Sequence, residues 1–146
     1  MKVKIKRFDK EMPLPVQKSK TPAAWDFYCR EEVEIAPGEM KGIHLNCAME
    51  IPVGTVMLFV VRSSTPFKKG LVAPHSVGVL DPFFSGDKDE LFFPLMNVTD
   101  KPVKVSKGDR LVQAFLVKTE NIEWEEVDKL TNPGAGGYVV QKRQES

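Results

Sequence analysis

Metal-type ligands are scarce in this chain: there are two cysteines, Cys29 and Cys47, and two histidines, His44 and His75. No two of the four stand at the close spacing that holds a zinc ion, so no metal cluster of that kind is expected. Two buried, reduced thiols are the expectation for Cys29 and Cys47. Long apolar runs are missing too. No stretch approaches the roughly 18 consecutive apolar residues of a membrane-spanning helix. The basic opening Met1–Arg7 leads into no apolar run or small-residue cleavage site, so no secretory signal is expected and the location read from the chain is cytoplasmic. Charge of one sign is also lacking: 21 Lys and Arg stand against 20 Asp and Glu, for a net charge of +1. That balance argues against binding nucleic-acid polymers through a broad positive field. It leaves room for a small anionic ligand, which a few arginines and lysines can hold.

Helical periodicity is the remaining absence. The 146 residues suit one domain with one core, and their apolar residues recur with period two. Val3 and Ile5 alternate with Lys2, Lys4 and Lys6, and Val33-Glu34-Ile35 and Ile43-His44-Leu45 repeat the pattern. Val56 to Val61 is a continuous apolar run, as a strand covered on both faces requires. Leu91-Phe92-Phe93, Val103-Lys104-Val105, Leu111 to Val117 and Ile122-Glu123-Trp124 complete the series. Turn signals separate them at Pro37-Gly38, Pro52-Val53-Gly54, Thr99 to Pro102 and Lys107-Gly108-Asp109. Short strands with Gly and Pro punctuation predict an all-β sandwich or barrel, and eleven prolines disfavour long helices. From Thr131 the texture changes to Asn132-Pro133-Gly134-Ala135-Gly136-Gly137 and a polar end. The predicted division is a β domain over 1–130 and a Gly-rich arm over 131–146.

Four segments carry chemistry. Arg62-Ser63-Ser64-Thr65 puts a guanidinium and three hydroxyls at a strand end, a donor set suited to phosphate oxygens; a polar turn capping a short helix fits the same letters. Asp81, after Gly78-Val79-Leu80 and before Pro82, is placed either as a general base for water or as a turn aspartate. In Lys107 to Gln113, Asp109 and Arg110 are expected to pair, and Gln113, on an otherwise apolar strand, needs a hydrogen-bonding partner. The Gly-rich segment ending in Tyr138 suits a lid that stacks on a base.

In order along the chain, these pieces resemble the trimeric dUTP pyrophosphatases (dUTPases) and their relatives the dCTP deaminases, across about Ala23 to Tyr138. Ala23-Ala24-Trp25-Asp26-Phe27 looks like the first of the family's five motifs, and Arg62-Ser63-Ser64 like the second. Gly78-Val79-Leu80-Asp81 with Gly86 looks like the third, Lys107 to Gln113 like the fourth, and Gly134-Ala135-Gly136-Gly137-Tyr138 like the fifth. The resemblance implies a distorted β jelly roll, a homotrimer with active sites built from several subunits, and hydrolysis of dUTP to dUMP and pyrophosphate. It implies Asp81 as the group that activates water. Arg62, Ser63, Ser64 and Gln113 would hold phosphates, Gly78, Val79 and Leu80 the uracil, Phe84 the sugar and Tyr138 the lid. Asp26 would hold Mg²⁺ through water.

The departures from the family pattern are specific. His75 stands where an Asn helps hold the base, Phe84 where a Tyr stacks on deoxyribose, and Pro133 where the fifth motif begins with Arg. Val139 and Val140 replace the small residues that follow the aromatic. Asp81-Pro82 with an aromatic and Gly86 also resembles the deaminase branch. That chemistry needs a proton-shuttling glutamate, and the matching position is Pro94, with Glu90 available only if the strand shifts register. The run Gly86-Asp87-Lys88-Asp89 before Phe92-Phe93-Pro94 resembles dUTPases of phages and Gram-positive bacteria. The expected activity is therefore dUTP diphosphatase. The alternatives are a dCTP deaminase or bifunctional enzyme, a non-catalytic nucleotide- or partner-binding relative, and a structural jelly-roll subunit.

Overall fold

The structure is a computed structural model that describes residues 1–21 and 23–134. Eleven strands and one short helix follow in the order β1 (Lys4–Arg7), β2 (Trp25–Phe27), β3 (Val33–Ile35), β4 (Met40–His44), β5 (Cys47–Glu50), β6 (Thr55–Val61), α1 (Ser64–Lys69), β7 (Leu71–Val72), β8 (Gly78–Leu80), β9 (Phe92–Asn97), β10 (Val103–Val105) and β11 (Val112–Lys118). All pairings are antiparallel. A four-stranded sheet has the order β2-β11-β6-β8 and a three-stranded sheet β4-β9-β7, with the pairs β1-β5 and β10-β3 beside them. Neighbouring strands distant in sequence give a crossed all-β fold, as the period-two pattern predicts, and its jelly-roll-like form is the one the resemblance implies.

Alternation places the core. Along β6, Thr55, Met57 and Phe59 are buried while Val56, Leu58 and Val60 are only partly covered. Register carries the same face to Ala114 on β11 and Gly78 on β8, both opposite Phe59. Facing them from the second sheet are Ile43, Phe93 and Leu95, each at most 1% exposed. The Phe27 and Phe59 rings meet at 5.3 Å and a 57° tilt, a favourable aromatic geometry. Cys29 and Cys47 are free thiols inside this core, as expected.

Two expectations are corrected. Ile122-Glu123-Trp124 forms no strand: the last one ends at Lys118, and residues 119–134 are exposed throughout. Alternation alone does not make a strand without a partner edge, and Ile122 and Trp124 remain 61% and 90% exposed. Asp109 does not pair with Arg110. Its carboxylate accepts from the Ser106 backbone N–H at 2.9 Å and lies 3.7 Å from Lys69 Nζ, which closes the turn before β11. The arm expected over 131–146 falls largely outside the described residues, and Tyr138 with it.

Candidate active site

Two clusters of side chains emerge, at different places on the same sheet. The first gathers at the junction of β2, β6 and β11. Gln113 stands opposite both Val60 on β6 and Asp26 on β2, so these three share a face, the one turned away from Phe59. Asp26 is only 9% exposed, and its Oδ2 lies 3.1 Å from Arg62 Nε and accepts a hydrogen bond from Arg110 Nη1 at 3.2 Å. Arg62 Nη1 also donates to the Arg110 carbonyl at 3.0 Å, and Gln113 Nε2 donates to the Val61 carbonyl at a long 3.4 Å.

The sequence Arg62-Ser63-Ser64-Thr65 turns from β6 into α1 because Thr65 Oγ1 and the Arg62 N–H both bond to the Leu111 carbonyl, at 2.7 and 2.9 Å. Pro66 is tolerated in this first turn, where its missing N–H is not needed. Gly70, with φ of +64°, stops the helix, and a Cβ there would collide with the Thr99 side chain. Ser63 occupies the N-cap position yet makes no side-chain cap bond. It and the half-buried Ser64 therefore keep their hydroxyls for another partner.

The second cluster lines a groove of about 550 Å³ between β8 and β9. Its walls include His75, Gly78, Val79, Leu80, Phe84 and Phe93, and Asp81 sits at its rim. β8 is an edge strand, and an edge presents unpaired backbone N–H and C=O groups. Gly78 has no side chain for a packing reason: a Cβ there would stand 3.2 Å from His75 Nε2 and 3.3 Å from both Phe59 and Phe93. The His75 ring packs against Phe93 with centroids 4.8 Å apart and the planes tilted by 59°. Asp81 is exposed, and its Oδ1 accepts the Phe83 backbone N–H at 2.9 Å. The turn aspartate and the rim carboxylate are thus one residue.

The expected site residues do not converge within one copy. Continuing the β6-β8 register from Met57↔Leu80 sets Asp81 level with Val56. Arg62 lies six residues further along, roughly 20 Å at strand rise. By the same register Asp81 falls on the face of Val56, Val60 and Gln113, while Phe59, Gly78 and Leu80 line the groove from the other face. Sequence reasoning missed Arg110 as a member of the first cluster, since its partner Asp26 is 84 positions away and no local signal joins them. It also missed Phe83 and Phe92 in the groove wall. Glu90 does not line the groove. Arg30 grips both its oxygens, at 2.5 and 2.9 Å, and raises its own pKa by doing so. His44 Nδ1 stands 2.8 Å from the same carboxylate. Pro94, by contrast, faces the groove, where a deaminase would need its glutamate.

The profile of the dUTPase family matches residues 10–138. This chain belongs to the dUTPase family. A prophage-derived deoxyuridine 5'-triphosphate nucleotidohydrolase of Bacillus subtilis is 36% identical over 139 residues, which cover 94% of this chain and 96% of the relative. The dUTPase of Streptococcus mutans superposes with a TM-score of 0.75 at 28% identity, covering 82% of this chain and 98% of that one. A dUTPase from phage phi11 of Staphylococcus aureus, which coordinates a structural Mg(II) ion, shares the fold with a TM-score of 0.77 at 21% identity, over 88% of this chain and 98% of its own.

Whether this chain offers Mg²⁺ a seat is a question of charge. Among the described residues no three His, Cys, Asp or Glu side chains stand close enough to hold a metal ion. Asp26, the one residue expected to reach the metal through water, has its charge balanced by two guanidiniums instead. A site with two cations around one carboxylate attracts an anion and repels a dication. The first cluster fits phosphate, not a resident metal. No helix of the described chain is long and apolar enough to cross a membrane.

Proposed function

We propose that this dUTPase-family chain hydrolyses dUTP, taken up as its magnesium complex, to dUMP and pyrophosphate. The observation that carries the reading is the groove of about 550 Å³ with a free strand edge on one side and Asp81 on its rim. Uracil carries donors and acceptors along its edge, and the backbone of Gly78, Val79 and Leu80 can match them as a strand edge matches a partner. His75, on Phe93, stands beside that edge in the place of the family's Asn. Phe84 offers its ring face to the sugar. Asp81 orients and deprotonates a water for attack on the α-phosphorus. Arg62, Ser63, Ser64 and Gln113 hold phosphate oxygens, and Arg110 joins them, so the rate gain is mostly positioning and charge.

Because the two clusters of one copy are roughly 20 Å apart along the strands, each active site joins the phosphate cluster of one copy to the groove of another. A homotrimer meets that need. Support for association comes from Ile122, Trp124 and Leu130, which are 61%, 90% and 77% exposed on residues 119–134. An apolar recess of about 490 Å³ lined by Val3, Ile5, Leu14, Trp25, Met57 and Leu116 adds to it. Cys29 and Cys47, buried and unpaired, suit the reducing cytoplasm.

The test is a panel of deoxynucleoside triphosphates assayed for pyrophosphate and ammonia together, with the Asp81→Asn variant alongside. Pyrophosphate from dUTP alone, lowered about 10²–10⁴-fold in Asp81→Asn with nucleotide binding retained, is the expected outcome. Ammonia from dCTP, or near-normal turnover by the variant, would overturn the assignment.

A further inference from the structure

We infer that Asp26 is a positioning residue for the phosphate-binding arginines and not a holder of metal. The inference rests on the reading that Arg62 and Arg110 face phosphate, and it assigns them a common anchor. Two guanidiniums meeting at one junction repel each other, and long arginine side chains lose about 2 kcal/mol of rotamer freedom when fixed. Asp26 counters both effects. Its Oδ2 stands 3.1 Å from Arg62 Nε and 3.2 Å from Arg110 Nη1, so one oxygen ties the two forks together. The tie is rigid because Asp26 lies inside a sheet ladder, opposite Gln113 on β11. Its own backbone N–H and carbonyl are bonded to Val16 on the other side, at 2.8 and 3.0 Å. Arg110 is held in addition over the Tyr28 ring, 6.0 Å from its centroid, and Arg62 by the Arg110 carbonyl at 3.0 Å.

The remaining N–H groups of both forks are left for an oxyanion. The carboxylate itself contributes repulsion toward a phosphate, so it acts through the arginines or not at all. Removing its charge therefore sets two effects against each other: the local field becomes more positive, while both forks come loose. We assign the larger effect to orientation, because bidentate recognition depends on geometry more than on net charge.

Binding of two probes, deoxyuridine and the non-hydrolysable α,β-imido analogue of dUTP, is measured by calorimetry in EDTA, where no metal can contribute. Turnover is followed separately against Mg²⁺ concentration. Asp26→Asn is expected to weaken the imido nucleotide about tenfold or more, to leave deoxyuridine unchanged, and to leave the half-saturating Mg²⁺ concentration where it was. Arg110→Lys, which keeps the charge and loses the fork, is expected to reproduce the same selective loss and serves if Asp26→Asn does not fold. Unchanged or tighter imido-nucleotide binding in EDTA overturns the inference, as does an increased Mg²⁺ requirement. Equal loss of both probes overturns it too, since that marks a purely structural role. If the unaltered chain itself binds the two probes equally, it is the phosphate assignment of Arg62 and Arg110 that fails.

Discussion

Single residues in this chain are decided by what surrounds them, and Asp81 and the cysteines show it in opposite directions. Asp81 is an exposed turn carboxylate in the isolated chain, and its proposed role as a base requires a ligand or a second copy to remove water from it. Cys29 and Cys47 are already cut off from water. Burial pushes both thiols from 9.0 up to about 12, with the Asp109 charge adding to the effect at Cys29 and the Glu90 charge adding at Cys47 while Arg7 partly offsets it. Above pH 9 the unfolded chain releases these protons and the folded chain holds them, so the unfolded state binds fewer protons and stability falls as pH rises toward 12. Urea melts between pH 8 and pH 11 are expected to lose up to roughly 1 kcal/mol per thiol per pH unit above 9. At pH 8 a disulfide reagent should modify neither cysteine until the chain unfolds. Prompt native-state labelling, or a flat alkaline profile shared with a Cys29→Ala, Cys47→Ala double variant, would contradict this account.

At the scale of elements, what the sequence made legible was whatever depends on neighbours. Apolar patterning located β1, β3, β4, β6, β9, β10 and β11 but not the short β2, β5, β7 and β8, and Pro37-Gly38 and Lys107-Gly108-Asp109 marked real turns, with positive φ at Gly38 and Gly108. What could not be read depends on residues far away. Ile122-Glu123-Trp124 has the letters of a strand and no edge to pair with in its own copy. Arg110 has an aspartate beside it and pairs with Asp26 instead, because β11 runs against β2. Gln113 was expected on an apolar face. It lies on the half-exposed one, since Val112 and Ala114 take the core side.

Asn97 shows how much one side chain can hold at this scale. Its Nδ2 donates to the Ile35 and Lys101 carbonyls at 2.9 and 2.7 Å, and its Oδ1 accepts from Thr99 N–H and Oγ1 at 2.9 and 2.7 Å. It ties the end of β9 to β3 and to the turn before β10. Asn97→Ala strands several buried groups without partners and is expected to cost about 2–3 kcal/mol, read as a lower midpoint in urea at unchanged slope. A loss under about 0.5 kcal/mol, the range of an ordinary surface substitution, would show that the turn holds without it.

For the whole molecule, the central result is a division. The sequence motifs were legible one by one, but their placement was not: register puts the Arg62 cluster and Asp81 at opposite ends of one sheet, roughly 20 Å apart along the strands. On the proposed reading, such a chain needs another copy to bring a triphosphate and its attacking water together. Two variants that are each inactive for a different reason test this most directly. Asp81→Asn keeps the phosphate cluster, Arg62→Gln keeps the groove, and the two are co-refolded in equal amounts so that subunits mix. Random assembly gives about one quarter of sites an intact half from each variant, so pyrophosphate release from dUTP should recover to about a quarter of the unaltered level. A mixture no more active than the mean of the two separate variants would contradict a site shared between copies.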